Sequence, residues 1–110
     1  MSKKPDKLQG ALDLLILRTL ASRGPMHGYG IAVHIERVSG DALKVEEGSL
    51  YPALHRMEQT GWIKAQWKMT ENRRRAKYYR ITPAGQKRLE EEEKTWLAVT
   101  DAVARVLKFT

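Results

Sequence analysis

Between residues 49 and 82 the chain lays out four segments whose order few folds can accept. Ser49 to Gln59 carries Leu50, Ala53, Leu54 and Met57 at helical spacing, and Thr60-Gly61 closes that helix. Ile63, Ala65, Trp67 and Met69 then alternate with Lys64, Gln66 and Lys68, the period of two that marks a half-buried strand. Thr70 to Ala76 is too long for a tight turn and too basic for a buried loop. Lys77 to Ile81 reads as the partner strand, with Tyr79 and Ile81 facing inward. A helix, a strand, a basic loop and a returning strand form the second half of a winged helix-turn-helix. The expected fold class is therefore α+β, mostly α.

The rest of the chain completes that plan. Gly10 to Ser22 reads as a first helix, with Leu8, Leu12, Leu15, Ile16 and Leu20 on one face and Leu14, Leu17 and Ala21 on another. A helix apolar on two faces must be covered on both. Either the last helix of the same chain or a partner subunit supplies the second cover, and the partner is preferred. Arg23-Gly24-Pro25 ends the first helix. A second follows from Gly28 to Ser39 with Ile31, Ile35 and Val38 inward, and Leu43 to Gly48 is a linker. Ser49 is read as the N-cap of the third helix, with Pro52 in its first turn. Thr82 and Pro83 cap and open a last helix to about Lys108. At ~1.5 Å per residue it spans about 39 Å, longer than a small domain is wide. Leu89, Trp96 and Val103 fall seven apart along it, with Val99, Val106 and Leu107 beside them, a short heptad seam. Residues 1–82 are accordingly expected to form the DNA-binding domain and 83–110 a C-terminal dimerisation helix. The first six residues are polar and read as loose.

Charge points to the partner. From Ile63 to Arg88 there are nine Lys or Arg against the single acid Glu71, a local net of +8, while the whole chain carries +7. The remainder sums to −1, so the basicity is focused, as a nucleic-acid footprint requires. Double-stranded DNA is the expected partner. Ser49, Tyr51, His55, Arg56 and Gln59 would face outward from the third helix toward base edges and phosphates. Arg73, Arg74 and Arg75 would grip phosphates or enter a minor groove, flanked by Lys64, Lys68, Lys77 and Arg80. The alternative is a winged helix used for protein interaction or RNA binding. Nine cations speak against the first use. Against the second, Trp62 and Trp67 are read as core and wing packing, and alternation turns one of Tyr78 and Tyr79 inward.

Other chemistries are disfavoured. There is no cysteine, so no disulfide or thiolate metal site, and His27, His34 and His55 lack metal-ligand spacing. No nucleophile or phosphate-loop motif occurs, so neither enzymatic activity nor a cofactor is expected. Ala11 to Ala21, the most apolar run, contains Asp13 and Arg18 and falls short of the ~17–25 residues that span a bilayer. With no secretory signal visible, a cytoplasmic location is expected.

Four stretches resemble the PadR family of transcriptional regulators: Gly10 to Leu17, Met26 to Ile31, Glu46 to Arg56, and Arg73 to Gly85. The run Leu50-Tyr51-Pro52-Ala53-Leu54, with Tyr78 to Gly85, is specific to it. The likeness covers residues 8 to about 107, and Trp62 stands where such proteins more often have Leu. It implies a homodimeric bacterial repressor on an inverted-repeat operator, with Tyr51 as the recognition-helix tyrosine and Arg73 to Lys77 as the wing. A single helix after the wing is similar to the compact branch of the family. The resemblance also implies that the last helix builds the dimer with help from the first. The expected interface is then Leu12, Leu15, Leu89, Trp96, Val99, Val103 and Val106. An aromatic small-molecule effector, as some relatives bind at the dimer interface, would sit beside Trp96, although plain interface packing is the favoured role for that indole.

Overall fold

Leu14, Ile16, Leu17 and Leu20 leave water almost completely, and the helix that carries them, α1 (Leu12–Arg23), is the hub of the fold. The computed structural model describes residues 11–109. Among these, α1 is followed by β1 (Met26–His27), α2 (Gly28–Val38), α3 (Glu47–Gln59), β2 (Ile63–Met69), β3 (Arg75–Ile81) and α4 (Pro83–Phe109). The three strands form one antiparallel sheet in the order β1-β3-β2. The expectations for Leu8, for Gly10 and for the polar N-terminal residues lie outside the described residues.

Ile31 and Ile35 of α2, Leu50, Leu54 and Met57 of α3, and Ile63, Tyr79 and Leu89 close around α1 as one core. Each such side chain contributes roughly 1.5–3 kcal/mol by leaving water. The second apolar face of α1 is covered by the chain's own α4, which corrects the preference for a partner subunit. Leu89 is only 1 % exposed against that face, and Arg18 of α1 pairs with Glu93 of α4 at its edge. Val38, expected inward, is exposed at the last turn of α2.

The third helix begins earlier than expected. Val45 is buried and delivers an extended backbone to Glu46, whose carbonyl accepts from the N–H groups of Ser49 and Leu50 at 3.0 and 2.9 Å. Glu46, not Ser49, is therefore the N-cap. Ser49 lies inside the helix, and Pro52 falls in the second turn. Its ring removes the bond to the Gly48 carbonyl, on an exposed part of the helix.

The start of α4 follows the sequence expectation closely. Thr82 Oγ1 accepts from Gly85 N–H at 3.0 Å and donates to the Gly61 carbonyl at 2.6 Å. The Thr82 N–H donates to the Trp62 carbonyl at 3.0 Å. At Gly85 a side chain has no room, since a Cβ there would lie 2.0 Å from the Trp62 carbonyl oxygen. Helix, strand end and α3–β2 turn are thus joined in one place.

Candidate nucleic-acid interface

Because Leu50, Ala53, Leu54 and Met57 of α3 are committed to the core, geometry turns Tyr51, His55 and Gln59 to the outside. Tyr51 stays 44 % exposed. The hydroxyl end of its ring rests on the start of α2, where a Cβ on Gly28 would come within 2.8 Å of the ring. Gly28 is therefore what lets the hydroxyl end of the phenol lie there. Ser49 is half-buried on the helix's first turn. Arg56 is spent elsewhere: both its terminal nitrogens donate to Asp13 of α1 at 2.8 Å. That bidentate hydrogen bond raises its pKa and ties α3 to α1. Arg56 is held on the α1 side of the helix, which sequence periodicity could not show.

The wing is a tighter hairpin than its sequence suggests. β2 and β3 pair as far as Met69 and Arg75, so Arg75 and Ala76 belong to the strand and the loop shrinks to residues 70–74. Thr70 organises it: its N–H donates to the Arg74 carbonyl at 2.7 Å, its carbonyl accepts from Arg73 N–H at 3.0 Å, and its hydroxyl accepts from Arg74 N–H at 3.1 Å. The turn closes through Arg73 in the left-handed region, at φ 59°, a position where hairpins of this kind favour glycine. Arg73 and Arg74 are exposed at the tip. Arg75 lies over the indole of Trp67, 5.3 Å from its ring centre. Lys77 donates to Glu58 of α3 at 3.0 Å.

Trp67 and Met69 were expected on the half-buried face, yet they are 56 % and 65 % exposed. Ile63 and Ala65 still meet the core, but the sheet then runs past the helices and its inner face meets solvent. Between that face and α3 lies an open cleft of about 520 Å³, lined by His27, Tyr29, Tyr51, Trp67, Arg74 and Lys77 among others. The sequence reading missed Tyr29, Thr70 and Asn72 on this cleft, and gave Trp67 only a packing role. It also missed β1, which pairs Met26 with Tyr79 and His27 with Tyr78 and so brings the start of α2 to the wing. His27 caps α2, its Nδ1 accepting from Gly30 N–H at 3.0 Å. The run Met26-His27-Gly28-Tyr29 was the available signal, since its neighbours on the cleft were already singled out.

Among the expected interface residues, Leu12 and Leu89 are buried in the chain's own core and Leu15 is half-buried against it. Trp96, Val99, Val103 and Val106 are exposed along α4. Among the described residues no cluster of His, Asp and Glu could hold a metal ion, and no helix is long and apolar enough to cross a membrane.

A helix presenting polar groups beside a basic hairpin, with a cleft between, belongs to winged-helix DNA-binding regulators of transcription. The chain is a member of the PadR-like family of transcriptional regulators, whose sequence profile matches residues 16–91. A transcriptional regulator from Clostridium thermocellum superposes with a TM-score of 0.82 at 31% identity, over 92% of this chain and 97% of that one. The PadR-like transcriptional regulator of Bacillus cereus gives 0.81 at 29% identity, over 96% of this chain and the whole of the other. A transcriptional regulator of Mycobacterium tuberculosis is 32% identical over 74 residues, 67% of this chain and 65% of its own length. Each of these relatives is described as a transcriptional regulator.

Proposed function

We propose that the chain is a homodimeric repressor that binds an inverted-repeat operator in the bacterial cytoplasm, α3 entering the major groove and the wing lying along the neighbouring backbone. The cleft between α3 and the wing carries this reading. Adjacent grooves of a duplex share one sugar-phosphate strand, so a helix in one and a hairpin at the next must hold that strand between them. The cleft offers it Tyr51 on one wall and Trp67, Arg74 and Arg75 on the other. Tyr51 and His55 are the residues positioned to discriminate bases, with Ser49 beside them. Arg73, Arg74 and Arg75 supply phosphate contacts. RNA binding is the second reading, favoured by the exposed Tyr29, Tyr51 and Trp67. Against it, Tyr51 is already engaged with Gly28 and Trp67 with Arg75, so neither ring is wholly free for a base.

The dimer rests on Trp96, Val99, Val103 and Val106, an exposed apolar row on α4 that begins where Leu89 has turned to the core. Residues 1–82 then form the DNA-binding domain and 83–110 the dimerisation helix, although the first two turns of α4 are also seated on the former. Two-fold symmetry would set two copies of α3 on half-sites one turn apart, ~34–36 Å. Trp96 packs at the centre of that contact, and a flat aromatic effector beside it would release the operator. Band shifts with duplex from upstream of the chain's own gene, random duplex and hairpin RNA test the partner. Preference for RNA, or equal affinity for both duplexes, would refute the reading. Sedimentation equilibrium of Val103→Glu tests the dimer, which is expected to dissociate. Planar aromatics should quench tryptophan fluorescence less in Trp96→Leu than in the parent, and equal quenching removes the effector role.

A further inference from the structure

Glu58 is out of place on a surface built for phosphates. It stands on the last turn of α3, beside the wing, where a bare carboxylate would repel DNA. Its Oε1 instead accepts from Lys77 Nζ at 3.0 Å, and each side chain keeps a third of its surface exposed. Lys77 sits opposite Trp67 in the ladder, two rungs beyond the Ala65–Tyr79 pair and on the same face of the sheet. That rung is the one at which the hairpin leaves the core, since Tyr79 is buried and Trp67 is exposed. The ammonium also lies 5.7 Å from the ring centre of Tyr79, and its hydrogen bond to the Glu58 carboxylate raises the lysine's pKa. Lys77 is thus held between a carboxylate on α3 and the last buried ring of the sheet.

We infer that the Glu58–Lys77 pair is a strut that fixes the separation of α3 and the wing, and that Lys77 acts on DNA by positioning the hairpin, not as a phosphate ligand. The inference rests on the DNA-binding reading above and reassigns one residue within it. The lysine's charge is already matched, so the pair as a whole offers the duplex no net charge. Its worth lies in geometry. A hairpin free to swing about its root must be ordered when the duplex arrives, which costs affinity. A wing held in place has already met that cost. The strut has a distinctive sign: removing an acid near phosphates ordinarily tightens binding, whereas removing one end of a strut loosens it.

The test uses the full chain with Glu58→Met, Lys77→Met and the charge-swapped double Glu58→Lys/Lys77→Glu. Hydrogen exchange of amides 66–76, measured without DNA, should quicken in both single variants and return toward the parent rate in the swap. Operator affinity should fall about two- to fivefold in each single variant, the range of an exposed ion pair, and recover in the swap, whose net charge equals the parent's. The salt dependence should keep its slope in Lys77→Met, whereas loss of a phosphate ligand would lower it by ~0.9 per subunit. Tighter operator binding by Glu58→Met, a flattened slope in Lys77→Met, or a swap no better than Lys77→Met would each overturn the strut. Unchanged exchange in Glu58→Met would do so whatever the DNA result. A parent chain that binds no duplex would defeat the function proposed above, and the exchange rates would still decide the strut.

Discussion

Replacing Arg73 by glycine should stabilise the protein while weakening its hold on DNA. Arg73 closes the wing turn at φ 59°, a conformation that costs an L-residue roughly 1–2 kcal/mol and glycine nothing. Glycine also gives the unfolded chain more freedom, which takes back about 0.5–1 kcal/mol. The net expectation is a gain of about 0.5–1 kcal/mol. In a domain of this size that corresponds to a rise in Tm of about 2–6 °C, provided the hairpin unfolds with the core. The ladder from Ile63–Ile81 to Met69–Arg75 is continuous, which supports that proviso. Arg73→Ala is the matched control, since it removes the same charge but stays in the strained conformation. Arg74→Gly is a second, because Arg74 is not among the residues with positive φ, so glycine there should lower Tm. Thermal melts of the three variants and duplex titrations across a salt series make the assay. Both Arg73 variants should lose about one phosphate contact per subunit, ~0.9 in log–log slope, and only the glycine variant should melt later than the parent. A Tm for Arg73→Gly at or below that of Arg73→Ala would refute the reasoning, because the strain would then not be where the backbone places it.

Three further outcomes follow from the same geometry. A double-mutant cycle with Asp13→Asn and Arg56→Met, read by denaturant unfolding, should give a coupling near the upper end of the ~0.2–1 kcal/mol range for exposed pairs. Arg56→Met should leave the salt slope of DNA binding unchanged, and a flattened slope would return Arg56 to the DNA contacts. Burial, then the charges of Arg23 and Arg37, depress the pKa of His34 below its ordinary 6.5, and its Nδ1 has no hydrogen-bond partner. The folded state thus favours the neutral ring, so this contribution to stability is complete above pH 6.5 and is lost as pH falls through the folded-state value. Melts of His34→Gln should show a shallower fall in Tm between pH 7 and 5 than the parent, and parallel curves would exclude His34 as the source. Gly85→Ala should cost roughly 1–3 kcal/mol or more through overpacking against the Trp62 carbonyl, which chemical denaturation measures directly.

Local signals in the sequence were enough for much of this fold. Apolar spacing placed α1, α2 and the inner stripe of α3, and Thr82-Pro83 marked the start of α4 to the residue. The failures share a cause. Ser49 is a better N-cap than Glu46 by local chemistry, yet the helix starts where buried Val45 delivers the backbone. β1 is two residues long, too short for any period to register, and exists because Tyr78 and Tyr79 present an edge to it. The alternation through Trp67 and Met69 was real, but only the packing of the helices says how far along the strand the core extends. In the site, the polar face of α3 and the triple-arginine tip could be read directly. The engagements of Arg56 with Asp13 and of Lys77 with Glu58 could not, since their partners lie 43 and 19 residues away. Residue type announces a charge, and only tertiary structure says whether that charge is already matched.

The joint at Thr82 bears on how α4 and the wing move. One residue separates β3 from α4, and its hydroxyl, N–H and carbonyl are all engaged with the turn before β2 or the first turn of α4. Gly85 presses the helix against the Trp62 carbonyl just beyond. No slack segment lies between the two arms. The joint between α4 and the hairpin therefore has no hinge of its own. The root of α4 and the base of the wing are in this respect a single fixed elbow with its corner at Thr82.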